Sequence, residues 1–349
     1  MPRVFLPYAV GGDSPIPYLF ESIVPHFDPS DFAFTVYATP ESRPVAGHCR
    51  RIVVPDQGTL RRRMAYVRGA LGRYDLVHTG GRPHLHYPTA RVAHLRNRDL
   101  RHVHTFRVDV DLSWDYADER EVLFDYADAF TAVSEHTAET ARQKLGVDPT
   151  VVYNGVDTDL FHPDYDRSPL LDGLVDPGDP LFLFVGSLVE RKRPLDVATV
   201  ARSVPEATFV FVGSGPQSED LAEAIEGLDN AHALGHVEKD KLPALYASAT
   251  GLVFPSVREG CPNVVLEAMA SAAPVVGYEA TSMPELVTTG ETGYLCAVDD
   301  VDGLATGVRE AIEHEERWGA AARSYVRDNH TFDRLAAQYE SVYRDLLGG

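Results

Sequence analysis

Pro255-Ser256-Val257-Arg258-Glu259-Gly260-Cys261-Pro262-Asn263-Val264-Val265-Leu266-Glu267-Ala268-Met269-Ala270-Ser271-Ala272-Ala273-Pro274 decides how the chain is read. The apolar run Gly251 to Phe254 just ahead of it reads as a short buried strand. From Pro262 the pattern is helical: proline suits a first turn that needs no N–H donor, and Val264, Val265, Ala268 and Met269 recur at helical spacing. A strand therefore hands over to a helix N-terminus through a turn that carries Glu259 and Gly260. Such a terminus is an anion site, because its first N–H groups lack partners and the helix dipole is positive there.

Two carboxylates bracket the turn, with seven residues between them. Glu259 lies in the loop; Glu267 sits one turn into the helix, on the face of Asn263 four residues earlier. A carboxylate accepts two hydrogen bonds side by side, which is what neighbouring hydroxyls of a sugar or ribose offer. A ligand with hydroxyls at both ends and negative charge between them is a nucleotide-sugar. The competing reading is structural, with Glu259 capping the helix and Glu267 solvated.

The run from Glu259 to Ala270 resembles the signature of glycosyltransferase family four, the large retaining GT-B group. The resemblance recurs, in the family's order, at Val185-Gly186-Ser187-Leu188 with Lys192, at Val212-Gly213-Ser214-Gly215-Pro216, at Gly235-His236-Val237, and from Pro284-Glu285-Leu286 to Gly293. It implies an α/β, GT-B fold: two Rossmann-like doubly wound parallel-sheet domains facing a central cleft. It also implies the roles of the residues that match. Glu259 and Glu267 bracket the donor, with Gly260, Pro262 and Asn263 at the helix start. Lys192, with Arg191 and Arg193 beside it, neutralises the diphosphate, and Val237 contacts the base through its loop. Ser187 stands where most members have arginine, so Arg191 or Arg193 is expected to compensate. Gly12, in the Gly11-Gly12 pair after the first strand, corresponds to the glycine-rich loop that faces donor and acceptor.

One loop departs from the family. Many members place a histidine near the transferred sugar where this chain has Arg107, and His104, three residues earlier on a strand, points to the opposite face. Arg107 is then a fixed cation for a donor or acceptor phosphate. The implied reaction is retaining transfer from a nucleotide-diphosphate sugar to a hydroxyl, with front-face attack. The departing phosphate helps take the acceptor's proton, and hinge closure brings Gly12 and Arg107 onto the sugar. Two further readings use the same donor pocket: a nucleotide-sugar epimerase or hydrolase, and a non-catalytic nucleotide-sugar-binding protein.

Domain organisation follows from alternation. Apolar runs at Val4–Val10, Phe32–Ala38, Arg51–Val54, Leu76–Thr79, His102–Phe106, Ala129–Val133 and Val151–Tyr153 are separated by helical patterns, which predicts a mostly parallel sheet. Residues 1–160 form the acceptor-side domain. The Pro-, Asp- and Gly-rich stretch 161–180 is a hinge, and 181–349 form the donor-side domain, with the last helix returning to the first. Gly213-Ser214-Gly215 lacks the third glycine of a dinucleotide fingerprint, Ser218 standing there instead, which speaks against NAD.

With 349 residues and 44% hydrophobic content, the chain has enough apolar side chains for two cores. Three cysteines without metal spacing point to a reducing cytosol, and the short apolar N-terminal run reads as a buried strand rather than a signal or membrane span. Asp109-Val110-Asp111 and Asp157-Thr158-Asp159 match an Asp-any-Asp metal pattern, but so many aspartates produce such matches by chance; no metal or cofactor is expected. A net charge of −20 excludes a general nucleic-acid binder, and with only four lysines it resembles the composition of salt-loving organisms.

The charge is uneven. From Arg43 to Arg107, fourteen arginines meet three aspartates, so this segment is +11 and the rest −31. Arg61, Arg62, Arg63 and Arg68 fall on an expected helix from Thr59 to Gly72, with Leu60, Met64, Val67 and Leu71 as an apolar stripe. Either the stripe packs in the core, or the helix meets an anionic membrane that carries a lipid-phosphate sugar acceptor at its inner face.

Overall fold

The structure is a computed structural model and describes residues 1–10, 22–38, 49–54, 59–80, 92–108 and 127–348. The chain divides into two compact units, Met1–Tyr153 with Phe332–Gly349, and Asn154–Thr331. The division falls ahead of stretch 161–180, which lies inside the second unit with Phe161, Leu171 and Val175 buried.

In the first unit, β1 (Arg3–Val10), β2 (Ala33–Ala38), β3 (Cys49–Val53), β4 (Leu76–Gly80), β5 (Arg101–Phe106), β6 (Ala129–Ala132) and β7 (Thr150–Val151) form one parallel sheet in the order β3-β2-β1-β4-β5-β6-β7. Strands β2, β4 and β5 are buried along nearly their whole length, with His78, Thr79, His102, His104 and Thr105 among the buried side chains. The helices of this unit include α1 (Thr59–Ala70) and α2 (Glu135–Leu145). Helix α2 starts where the sequence supplies a cap: the Ser134 hydroxyl accepts from the Thr137 N–H at 3.2 Å.

Of the two packings open to the stripe near α1, the exposed one is found for Met64, Val67 and Leu71. Met64, Val67 and Leu71 are 63, 50 and 44% exposed. The helix turns its small residues inward instead: Ala70 is buried, and a Cβ at Gly69 would lie 2.4 Å from the Tyr37 ring. Tyr37 and Tyr74 reach the helix backbone, donating to the Tyr66 and Gly69 carbonyls at 2.7 Å each. Two tyrosines under the helix leave no room for a methionine or leucine, so the larger apolar side chains face out.

The second unit holds β8 (Leu181–Val185), α3 (Pro194–Ser203), β9 (Thr208–Val212), α4 (Ser218–Ala224), β10 (Ala231–Gly235), α5 (Leu242–Ala247), β11 (Gly251–Phe254), α6 (Asn263–Ala270), β12 (Val275–Tyr278), α7 (Met283–Leu286), β13 (Gly293–Cys296) and α8 (Val301–Asn329). The parallel order β10-β9-β8-β11-β12-β13 reverses between β8 and β11. In a doubly wound sheet that reversal opens a crevice at the carboxyl ends, where ligands bind. Helix α6 starts one residue later than the sequence pattern suggests: Pro262, with extended ψ of 116°, is the cap residue rather than the first turn. Long α8 crosses the sheet with Leu304, Val308, Trp318 and Val326 buried, and α9 (Phe332–Leu347) then packs on the first unit's core through Phe332, Leu335, Tyr339 and Tyr343.

Candidate functional site

The loops after β8 and β11 meet at the reversal point of the second sheet. The Val257 N–H donates to the Arg191 carbonyl at 2.9 Å, and the Ser256 Oγ lies 3.2 Å from the same oxygen. This stitch brings the basic run Arg191-Lys192 against Glu259. One carboxylate oxygen, Glu259 Oε1, accepts from Arg191 Nη1 at 2.7 Å and from the Ser256 hydroxyl at 2.8 Å, with Lys192 Nζ at 3.5 Å. The Glu259 N–H donates to Thr281 Oγ1 at 3.2 Å, fixing the turn from a second side. Glu259 thus does not cap α6, whose N-terminus has no side-chain cap.

Lys192 is held tightly. Its side chain is 11% exposed, and its ammonium lies 4.8 Å from the centre of the Phe254 ring. Burial pulls its pKa below the ordinary lysine value, an effect the Glu259 carboxylate partly offsets. Gly186, with φ of 150°, makes room for it: a Cβ there would meet Lys192 Nζ at 2.9 Å. Gly213 is equally constrained, since its Cβ would fall 1.9 Å from the Gly186 carbonyl oxygen. Two cations thus face one carboxylate at the mouth of the crevice, a local excess of positive charge that suits an anion.

Glu267 points from α6 toward α5, and its Oε2 accepts from the Tyr246 hydroxyl at 3.1 Å. Burial pushes its pKa up, while Tyr246, Lys239 and Lys192 pull the other way. Asn263 is tied down differently: its Oδ1 accepts from Asn154 Nδ2 at 3.0 Å, and the same amide donates to the Cys261 carbonyl at 2.8 Å. Asn154 thereby fixes the loop that leads into α6.

Of the residues singled out from sequence, Arg191, Lys192, Glu259, Gly260, Pro262, Asn263 and Glu267 lie on these two loops and on α6. Ser187 is exposed in the β8 loop, and Val237 is half-buried beyond β10. Arg193 pairs with Asp299 at 3.0 Å, so Arg191 is the arginine beside Lys192 that faces Glu259. Arg107 follows β5 in the first unit, close enough to the buried His78 imidazole to lower its pKa. Gly12 lies outside the described residues.

Sequence reasoning did not assign Ser256, Tyr246, Asn154 or Thr281. Ser256 stood inside the quoted stretch, but nothing in a lone serine marks it as a carboxylate donor. Tyr246 carries no local signal at all. Among the described residues, no three His, Cys, Asp or Glu side chains are grouped to hold a metal ion.

The model of a family described as Glycosyltransferase Family 4 matches residues 21–160, and that of Glycosyl transferases group 1 matches residues 179–314. The chain is 28% identical over 232 residues to N-acetyl-alpha-D-glucosaminyl L-malate synthase of Bacillus anthracis, covering 63% of this chain and 60% of that protein. It is 31% identical over 240 residues to the GDP-mannose-dependent alpha-(1-6)-phosphatidylinositol monomannoside mannosyltransferase of Mycobacterium tuberculosis, covering 63 and 62%. The matches thus span somewhat under two thirds of these relatives. In fold, the chain superimposes on Anabaena HepE in complex with UDP with a TM-score of 0.77, at 18% identity, over 99% of this chain and 100% of that one. Both halves match in family order and the two-sheet architecture agrees, so the chain belongs to glycosyltransferase family 4, on a GT-B fold.

Proposed function

We propose that the protein transfers a glycosyl group from a nucleotide-diphosphate sugar to a hydroxyl acceptor, with retention at the anomeric carbon. The observation that carries this reading is the buried Lys192 ammonium held against Glu259 at the reversal point of the sheet, one loop away from an uncapped helix N-terminus. Lys192, Arg191 and the start of α6 at Asn263 take the diphosphate, with Gly260 and Pro262 shaping the approach. Glu267 accepts from the ribose, Glu259 from the sugar hydroxyls, and the loop of Val237 borders the base. Ser187 adds a small polar group, and Gly12 and Arg107 of the first unit serve the transferred sugar and a phosphate.

In this reaction the acceptor oxygen bonds to the anomeric carbon as the bond to the diphosphate breaks, the electron pair leaving with the nucleoside diphosphate. The acceptor's proton passes to the departing phosphate oxygen, so no side-chain nucleophile and no metal ion is required. Catalysis rests on fixed positive charge where negative charge develops. The named relatives, a GDP-mannose-dependent mannosyltransferase among them, support a nucleotide-sugar donor.

A lipid-borne acceptor at the cytoplasmic face of a membrane is the second part of the proposal, and the surface of α1 favours it. Exposed Met64, Val67 and Leu71 adjoin Arg68, and Met64 and Arg68 line a groove with Arg50, Arg51 and Val53 of edge strand β3. Arg61, Arg62 and Arg63 belong to the same helix, but their side chains fall outside the described residues. Apolar side chains ringed by guanidiniums suit an anionic bilayer surface.

The test is the product. Glu259→Ala should lower turnover on the cognate donor by about a hundredfold or more, a loss on the scale of removing one key transition-state contact. NMR of the wild-type product should show the donor's anomeric configuration. Inverted product would end the retaining mechanism. Donor consumption without acceptor would favour the hydrolase or epimerase reading, and donor binding without turnover across a broad acceptor panel the non-catalytic one.

A further inference from the structure

Helix α5 is only six residues long, yet it buries Leu245 and Tyr246 completely. A wholly buried tyrosine needs a partner for its hydroxyl, because an unbonded O–H in an apolar setting is costly. Here the partner is Glu267 Oε2, at 3.1 Å. The ring is fixed as well: Phe161 meets it edge-on, with centroids 5.9 Å apart and planes at 66°. Phe161 comes from the stretch after the unit boundary and is itself buried. A rigid apolar wall thus aims one hydroxyl at one carboxylate oxygen.

The consequence falls on Glu267. Its carboxylate would otherwise rotate freely about its last torsion, a broad two-fold well. The Tyr246 hydroxyl fixes the carboxylate plane and occupies Oε2 on the side toward α5. Oε1 takes no hydrogen bond from the described residues, so it and the second lone pair of Oε2 remain to accept from a ligand. Charged groups around the carboxylate act in the same direction: Lys239 beyond β10 and Lys192 on the β8 loop join the tyrosine hydroxyl in favouring the ionised form against the cost of burial. An ionised carboxylate accepts from both hydroxyls of a vicinal diol with one oxygen each, whereas protonation turns one oxygen into a donor.

We propose that Tyr246 is a positioning residue of the ribose subsite, holding Glu267 in the orientation that selects ribose over deoxyribose in the donor's nucleotide. This rests on the reading of Glu267 as the ribose acceptor. A carboxylate already set at the bound geometry loses less freedom on binding, so the tyrosine contributes to affinity only where a ribose hydroxyl is present.

The full-length protein is titrated calorimetrically with uridine and guanosine diphosphates and with their 2′,3′-dideoxy counterparts, across pH, as wild type, Tyr246→Phe and Glu267→Gln. The wild type is expected to prefer a ribonucleotide. Tyr246→Phe keeps the ring against Phe161 and should lose about fivefold of that preference, the scale of one net hydrogen bond. Its affinity for the deoxy forms should be unchanged, which also reports a folded site. The acid limb of ribonucleotide binding should move to higher pH, because Glu267 without its hydroxyl partner protonates more easily. A purely structural role would weaken ribo and deoxy forms alike and leave the limb in place. Unchanged preference in Tyr246→Phe alongside lost preference in Glu267→Gln would overturn the role of Tyr246 while leaving the ribose reading intact. Unchanged preference in both variants would overturn the two together.

Discussion

Burial pulls the Lys192 pKa down and pushes the Glu267 pKa up, so it works against the charged form of each. Such groups cost stability in the free protein and are kept where a ligand repays the cost. For Glu267 this cost depends on pH. Its folded pKa lies above the ordinary 4.5, so the folded chain binds a proton more readily than the unfolded one. Stability from this group is therefore full below 4.5 and is lost as pH rises through the folded value. Glu267→Gln keeps an acceptor for Tyr246 and removes the charge. Its ligand-free melting temperature should exceed that of the wild type at pH 7 and converge with it in acid, as thermal denaturation across pH would show. A variant less stable than wild type at pH 7 would mean that the carboxylate is satisfied without ligand.

At the scale of elements, α9 is bonded into the first sheet through a buried polar chain. His78 on β4 joins the Tyr343 hydroxyl at 2.7 Å on one ring nitrogen and Thr105 Oγ1 at 2.6 Å on the other. Burial lowers its pKa well below the ordinary 6.5, with Arg107, His104 and His102 adding to the shift. The unfolded chain then takes up a proton that the folded one refuses, so this contribution to stability is intact above pH 6.5 and declines below it. Tyr343→Phe strips His78 of one partner and should cost about 1–3 kcal/mol, readable in denaturant unfolding. His78→Asn should flatten part of the acid decline, and an unchanged pH profile would remove His78 from it. Most of this architecture was legible in the sequence. Strands such as β8 and β11 are unbroken apolar runs, which a parallel sheet covered on both faces demands. Strands β10, β12 and β13 were not singled out: they are short and carry Gly, His or Cys, so periodicity had little to register. The stripe on α1 left two packings open because spacing reports amphipathicity, and only the tyrosines beneath the helix decide which face goes in. The two glutamates and Lys192 were found because motifs place them. Tyr246 and Asn154 were not, since they act from elements far away in sequence.

For the molecule as a whole, charge is the organising fact. A segment of +11 lies within a chain of −20, and Arg50, Arg51 and Arg68 from it line a groove with Met64 and Val53. Association with vesicles containing anionic lipid should weaken steeply as salt rises, because the screening length falls to about 8 Å at physiological ionic strength. Met64→Asp with Arg68→Glu should abolish co-sedimentation with anionic vesicles, and neutral vesicles should not bind the wild type. Binding that ignores both salt and these substitutions would remove α1 from the contact.

In the proposed reaction the crevice between β8 and β11 holds a nucleotide-diphosphate sugar through Lys192. The most direct measurement is the melting temperature with a panel of nucleotide-sugars and free nucleoside diphosphates, for wild type and Lys192→Met. A ligand that binds only the folded state at a hundred times its Kd adds about 2.7 kcal/mol. The expected result is a raised midpoint with one base and sugar in the wild type, lost in Lys192→Met. A midpoint that no nucleotide moves, or a shift equal in both proteins, would contradict it.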